Sequence, residues 1–203
     1  MANIMILNGS PRASRSNSKE YAQLFRKETS GKTDYFEIIR EKPERLCQEM
    51  ERFSDVLLVF PLYADSIPVT LLQFLKVLER FPIVQRPTVS VVVNCGFLEP
   101  WQNDTAVSMI RLYCRQTGFP FGSVLKIGAG EAILSTPFRF LVSRGLRKLA
   151  QSMEEGKHRS LQVTMPLPKR LFLRASTAYW KELGKRNGLS AEQMRTLRIE
   201  DRE

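Results

Sequence analysis

The chain has 203 residues, 43% of them hydrophobic, with a formal net charge of +10 and one histidine. That length suits one α/β domain with a full core, and the longest apolar stretch, residues 56–64, is broken by Pro61 and too short to span a bilayer. No apolar leader follows Met1, so the expected compartment is cytoplasmic. The basic residues are spread through the chain without a nucleic-acid-binding motif, and no nucleic-acid partner is expected.

In chain order, apolar runs at residues 3–8, 34–39, 55–60, 88–95 and 123–128 read as strands, with helix-like stretches between them. The runs 56–60 and 89–93 are continuous and rich in β-branched residues, as central parallel strands covered on both faces require. The alternation predicts a doubly wound five-stranded parallel sheet of order 2-1-3-4-5, in which ligands sit beyond the carboxyl ends of strands 1, 3 and 4.

The loop after the first strand, Asn8-Gly9-Ser10-Pro11-Arg12-Ala13-Ser14-Arg15-Ser16-Asn17-Ser18, leads directly into a helix carrying Tyr21, Ala22, Leu24 and Phe25. A helix N-terminus offers unpaired N–H groups and a partial positive charge, which suits a phosphate, and the hydroxyls of Ser10, Ser16 and Ser18 would add hydrogen bonds worth about 1 kcal/mol each. Other phosphate signatures fail on spacing. Gly31-Lys32-Thr33 has Arg26 where a Walker A loop needs glycine, and Gly128-Ala129-Gly130 is followed by Ile133 where a dinucleotide fingerprint needs its third small residue. A phosphocysteine loop is excluded because Phe53, Trp101 and Pro120 stand six residues after the three cysteines. Those cysteines lack C-x-x-C spacing, so they are expected as buried or half-buried free thiols in a reducing compartment, with no metal site.

The loop after the third strand reads Pro61-Leu62-Tyr63-Ala64-Asp65-Ser66-Ile67-Pro68, and that after the fourth Asn94-Cys95-Gly96-Phe97-Leu98-Glu99-Pro100-Trp101. Both are aromatic and lie on the same sheet edge as the serine-rich loop, where they could grip a flat ring. Asp65 is expected to cap the helix beginning near Pro68.

Past the core, Pro166-Leu167-Pro168 interrupts the chain and a basic amphipathic helix spans residues 169–186, ended by Asn187-Gly188. It could pack on the domain, meet a partner subunit or lie on an anionic membrane. The need to bury Phe172, Tyr179 and Trp180 favours the subunit contact, hence a homodimer. The organisation expected is a domain over residues 1–160 and an extension over 161–203, whose last part, from Ser190, reads as a short capped helix with a charged end.

Together, Asn8-Gly9-Ser10-Pro11-Arg12 with Ser16-Asn17-Ser18 and Pro61-Leu62-Tyr63-Ala64-Asp65-Ser66-Ile67-Pro68 resemble the signature loops of the flavodoxin-like NAD(P)H-dependent FMN reductases, over roughly residues 1–155. The resemblance implies a flavodoxin-like fold. It also implies FMN held through its phosphate by Ser10, Arg12, Ser16, Asn17 and Ser18, with its ring along Pro61, Leu62, Tyr63, Ala64, Asp65 and Ser66 and near Asn94, Cys95, Gly96 and Phe97. The implied reaction takes a hydride from NAD(P)H to the flavin and passes electrons to a small-molecule acceptor. Such chemistry demands no general acid or base, and no catalytic side chain is assigned. The chain departs from the family in having Ser16 where many relatives have glycine, and Phe97-Leu98-Glu99 where small residues are common. The alternatives are an electron carrier of flavodoxin type, which is usually acidic, or a flavin-free domain acting through the basic extension.

Overall fold

The computed structural model describes residues 2–195, with the backbone alone at Ser14. Six strands, β1 (Asn3–Asn8), β2 (Lys32–Glu37), β3 (Asp55–Pro61), β4 (Thr88–Asn94), β5 (Phe121–Ile127) and β6 (Ser160–Val163), form one sheet of order β2-β1-β3-β4-β5-β6. Every pairing is parallel. The helices of this part are α1 (Asn17–Glu28), α2 (Pro43–Met50), α3 (Val69–Arg80), α4 (Asp104–Thr117) and α5 (Arg139–Glu154).

Parallel strands must be joined by crossovers, so both faces are covered and alternate side chains of one strand enter different cores. Met5, Leu7, Val56, Leu58, Phe60, Val91 and Val93 pack with Leu46, Leu71, Phe74 and Ile110 of α2, α3 and α4. Their neighbours Ile4, Ile6, Leu57, Val59, Val92 and Leu125 are also fully buried, on the side where α1 and α5 lie with Tyr21, Phe25, Val142 and Leu146. Ser90 of β4 is the buried polar exception inside β1, β3 and β4, its Oγ accepting the Ser123 N–H at 3.0 Å, and the carboxyl ends of β1 and β4 bring buried Asn8 and Asn94.

The expected order 2-1-3-4-5 is found, with a sixth strand added beside β5. This strand is only four residues long, half-buried at best, and follows the exposed stretch Lys157-His158-Arg159, so its apolar content does not stand out. β2 also begins two residues earlier than expected. It is an edge strand whose first residues are largely exposed, and Ile38 and Ile39 fall in the following 3-10 turn. Cys47, Cys95 and Cys114 are free and buried. Burial pushes the Cys47 thiol up to about 11 and that of Cys114 up to about 12.

The chain divides into two compact units, Met1–Met165 and Pro166–Glu203. The division falls later than residue 160 because β6 belongs to the sheet. In the second unit α6 (Lys169–Arg186) follows Pro168, and the chain leaves it through Asn187 and Gly188, the latter at φ +74°. Ser190 and Gln193 then exchange hydrogen bonds, the Gln193 N–H to Ser190 Oγ at 3.1 Å and the Ser190 N–H to Gln193 Oε1 at 2.8 Å, a capping box that opens a 3-10 turn at Gln193–Arg195. The expected charged end beyond it lies outside the described residues. Among the described residues no helix is long and apolar enough to cross a membrane.

Packing of α5 on β6 depends on Gly145, where an added Cβ would lie 2.7 Å from Val163 Cγ2. Gly145→Ala should lower stability in urea titrations, because overpacking by about 1–3 kcal/mol outweighs a helix-propensity gain of about 1 kcal/mol. In a Val163→Ala background the same substitution should become stabilising.

Candidate functional site

β1 ends on Asn8, whose side chain is fully buried and must therefore find partners for both its donor and acceptor ends. Its Oδ1 accepts the Ser10 N–H at 2.9 Å, while Nδ2 donates to Tyr35 OH at 2.9 Å and to Ala13 O and Ser16 Oγ at 3.3 Å. Tyr35 OH in turn donates to Glu37 Oε1, and the other oxygen of that carboxylate pairs with Arg40 at 2.8 Å. Burial is the main reason the Tyr35 hydroxyl is pushed up to about 12.

These bonds wrap the loop 9–16 around the end of β1 and aim α1 at the sheet edge. Ser16 caps α1: its Oγ accepts the Lys19 N–H at 3.2 Å and donates to Ala13 O. The Ser16 hydrogen is thereby committed within the loop, although the residue, expected as a phosphate donor, lines the cavity described below. The N–H groups of Asn17 and Ser18, the first two of the helix, have no partner among the described residues. Beside them the Ser10 hydroxyl accepts from the Arg12 N–H and that of Ser18 accepts from Asn94 Nδ2, so each keeps its own hydrogen to donate.

These groups form one side of a cavity of about 120 Å³. Its lining comprises Ser10, Arg12, Ser16, Asn17 and Ser18 from the first loop, Pro61, Leu62 and Tyr63 from the second, Asn94, Cys95 and Gly96 from the third, and Glu131. Ala64, Asp65, Ser66 and Phe97 do not line it. The first two form the tip of a tight turn in which Tyr63 and Ser66 exchange N–H···O bonds of 3.0 and 2.8 Å, with Ala64 at φ +45° and Asp65 at φ +56°. Asp65 is exposed and makes no cap, since α3 starts after Pro68 with no side-chain bond at that position. Ser66 turns toward Met109. Phe97 points outward, half exposed, although its carbonyl still accepts the Ala129 N–H.

Glu131 comes from a fourth loop, after β5, which the three-loop expectation left out. Asn17 Nδ2 at 2.9 Å and Tyr21 OH at 2.7 Å both donate to Gly130 O, pulling this loop against α1. Gly128 and Gly130 permit the approach: a Cβ on the first would strike the Leu98 carbonyl oxygen, and one on the second would lie 2.8 Å from Asn94 Cβ. Gly128-Ala129-Gly130 thus signals close packing rather than a nucleotide fingerprint. The Glu131 carboxylate lies over Gly96. With Arg12 it supplies the charged side chains among the described residues that line the cavity.

Cys95 borders the cavity, yet its Sγ accepts from Asn103 Nδ2 at 3.3 Å and burial pushes its thiol up, so at neutral pH it is a protonated wall residue. The residues other than glycine at positive φ in the described chain are Ala13, Ala64, Asp65 and Ala129, and all four lie in loops that surround the cavity. Each costs about 1–2 kcal/mol in the left-handed region, where a Cβ crowds the carbonyl.

No protein-family model matches the chain, and no curated protein matches it in sequence. Solved structures do match in shape. An NAD(P)H:quinone oxidoreductase from Methanothermobacter marburgensis aligns with TM-score 0.59 at 15% identity, over 77% of this chain and 98% of that one. The flavodoxin of Streptococcus pneumonia TIGR4 aligns with TM-score 0.57 at 15% identity, over 76% and 99%. An FMN-dependent NADH-azoreductase from Bacillus anthracis, in complex with FMN, aligns with TM-score 0.56 at 12% identity, over 75% and 99%.

The chain has the flavodoxin-like fold. At these identities the likeness is one of architecture, and it places the cavity at the carboxyl edge of the sheet, where open α/β sheets hold their ligands.

Asn8→Ala should lower stability by at least about 2 kcal/mol, since the Ser10 N–H and the Tyr35 hydroxyl lose buried partners; the midpoint of urea unfolding reads it. Ala64→Gly should raise stability by up to about 1 kcal/mol, the relief of left-handed strain less the added freedom of the unfolded chain, in the same titration.

Proposed function

We propose that this protein is an FMN-dependent oxidoreductase that draws electrons from NAD(P)H. The observation that carries the reading is the pair of open N–H groups at Asn17 and Ser18, which with Ser10 and Arg12 belong to residues lining a cavity walled by Pro61–Tyr63 and Asn94–Gly96. The donor set suits a phosphate monoester: helix N–H groups and hydroxyls supply directed bonds, and the guanidinium supplies charge. The walls suit a planar ring, with Tyr63 partly exposed at 43% and the Leu62 N–H bound to Asn94 O, which fixes the second loop on the third.

FMN, when bound, supplies two-electron redox chemistry between a reduced nicotinamide and an acceptor. The chain's own residues bind and orient. Ser10, Arg12, Asn17 and Ser18 would hold the phosphate, while Ser16 shapes the loop. Pro61, Leu62 and Tyr63 would lie along one side of the ring and Asn94, Cys95 and Gly96 along another. The Cys95 thiol, kept protonated, places no charge there. Ala64, Asp65 and Ser66 act through the turn that sets Tyr63, and no side chain is required to move a proton. The quinone-reductase and azoreductase likenesses support this reading, and the positive charge of the chain favours polyanionic nicotinamide cofactors over the role of an acidic carrier.

Purified protein mixed with FMN and desalted should retain flavin absorbance, and anaerobic NADH or NADPH should bleach it. Arg12→Ala should weaken FMN binding by roughly tenfold to a hundredfold while riboflavin, which lacks the phosphate, is affected little. Retained flavin that neither nucleotide bleaches would replace the reductase with an electron carrier, and absence of retained flavin would overturn the reading.

A further inference from the structure

We infer that α6 is an interfacial helix that docks the protein on an anionic lipid surface. Along its 18 residues six are Lys or Arg and one is Glu. Their placement is ordered. Phe172, Ser176, Tyr179 and Leu183 follow at i, i+4, i+7 and i+11, with Leu173 and Trp180 alongside, so they share one face. Arg170, Arg174, Lys181 and Lys185, at i, i+4, i+11 and i+15, line the other side.

Packing leaves half of this face open, while Phe172, Ser176 and Leu183 are half-buried. Leu173, Tyr179 and Trp180 are exposed, Tyr179 at 60% and Trp180 at 47%, and the two rings meet edge to face with centroids 5.3 Å apart. The four basic residues of the opposite side are exposed too. Glu182 is paired with Arg186 at 3.2 Å, so the helix's one acid neutralises a residue outside the basic row.

An aromatic and aliphatic face opposed by Lys and Arg is the pattern of helices that lie in the plane of a membrane, with Trp and Tyr at headgroup depth. Charge decides among occupants. A second copy would cover the apolar face but leave the basic row on the opposite side without counter-charge, and a nucleic acid would answer the basic row but offer no hydrocarbon for Leu173, Tyr179 and Trp180. An anionic bilayer answers both faces, the long basic side chains reaching the headgroups around the helix. Pro166-Leu167-Pro168 opens the second compact unit, and the helix begins directly after it.

The test uses the full chain with vesicles of phosphatidylcholine alone or with phosphatidylglycerol added. The protein should co-sediment only with the anionic vesicles, and added salt should release it. In a Trp101→Phe background, the remaining Trp180 emission should shift to the blue on binding. Arg174→Glu/Lys181→Glu/Lys185→Glu should reduce partitioning on the order of a hundredfold, taking about fivefold for each basic residue. Trp180→Ser should weaken it while far-ultraviolet circular dichroism stays unchanged. Failure to bind, or equal binding to both vesicles, would overturn the inference. So would a dimer in sedimentation equilibrium that Trp180→Ser dissociates, because the face would then cover a second copy.

Discussion

A buried amide at the end of the first strand governs the candidate site. The sheet interior admits no unpaired polar atom without a cost of about 1–3 kcal/mol, and Asn8 meets that demand by drawing the following loop back on itself. One end holds the Ser10 N–H; the other reaches Ala13, Ser16 and Tyr35. With the loop held, Ser16 sits where it can cap α1, and the cap answers the Lys19 N–H while leaving those of Asn17 and Ser18, two residues that line the cavity, open. The open N-terminus of the helix is therefore set from below by a fully buried side chain.

The second side of the site depends on the same helix. Asn17 and Tyr21 converge on the carbonyl of Gly130, so the loop that follows β5 is tied to the first turns of α1. Burial raises the Tyr21 hydroxyl, which keeps it protonated and a donor at neutral pH. The two charges at the cavity, Arg12 and Glu131, stand on elements joined through these bonds. A ligand that settles against the helix N-terminus meets a preformed opposite wall.

The parts of the fold legible in the sequence were those where burial dictates composition. Residues 56–60 and 91–93 are apolar because both faces of a central parallel strand are covered, and the helix at 169–186 is legible from its period and its Asn187-Gly188 stop. β6 escaped because an edge strand with half-exposed residues has no such signature. Within the site, eleven of the cavity-lining residues follow from three loops at the carboxyl edge of the sheet. Glu131 does not, because its place is set by a carbonyl contact more than a hundred residues away in sequence. The Ser16 hydroxyl and the Asp65 carboxylate show the opposite difficulty. Their residue types suit several partners, and only the backbone path decides that one closes its own loop and the other faces solvent.

The alanines at positions 13, 64 and 129 carry a further consequence for the chemistry of the chain. Their backbone angles are those a mirror-image residue prefers, so inverting the configuration of a single Cα at any of them would match the loop instead of opposing it. A β-branched residue at the same places would meet the conflict in its severest form. The loops around the cavity are thus narrow in what they accept, limited to small or turn-forming side chains by handedness alone, whatever ligand they serve.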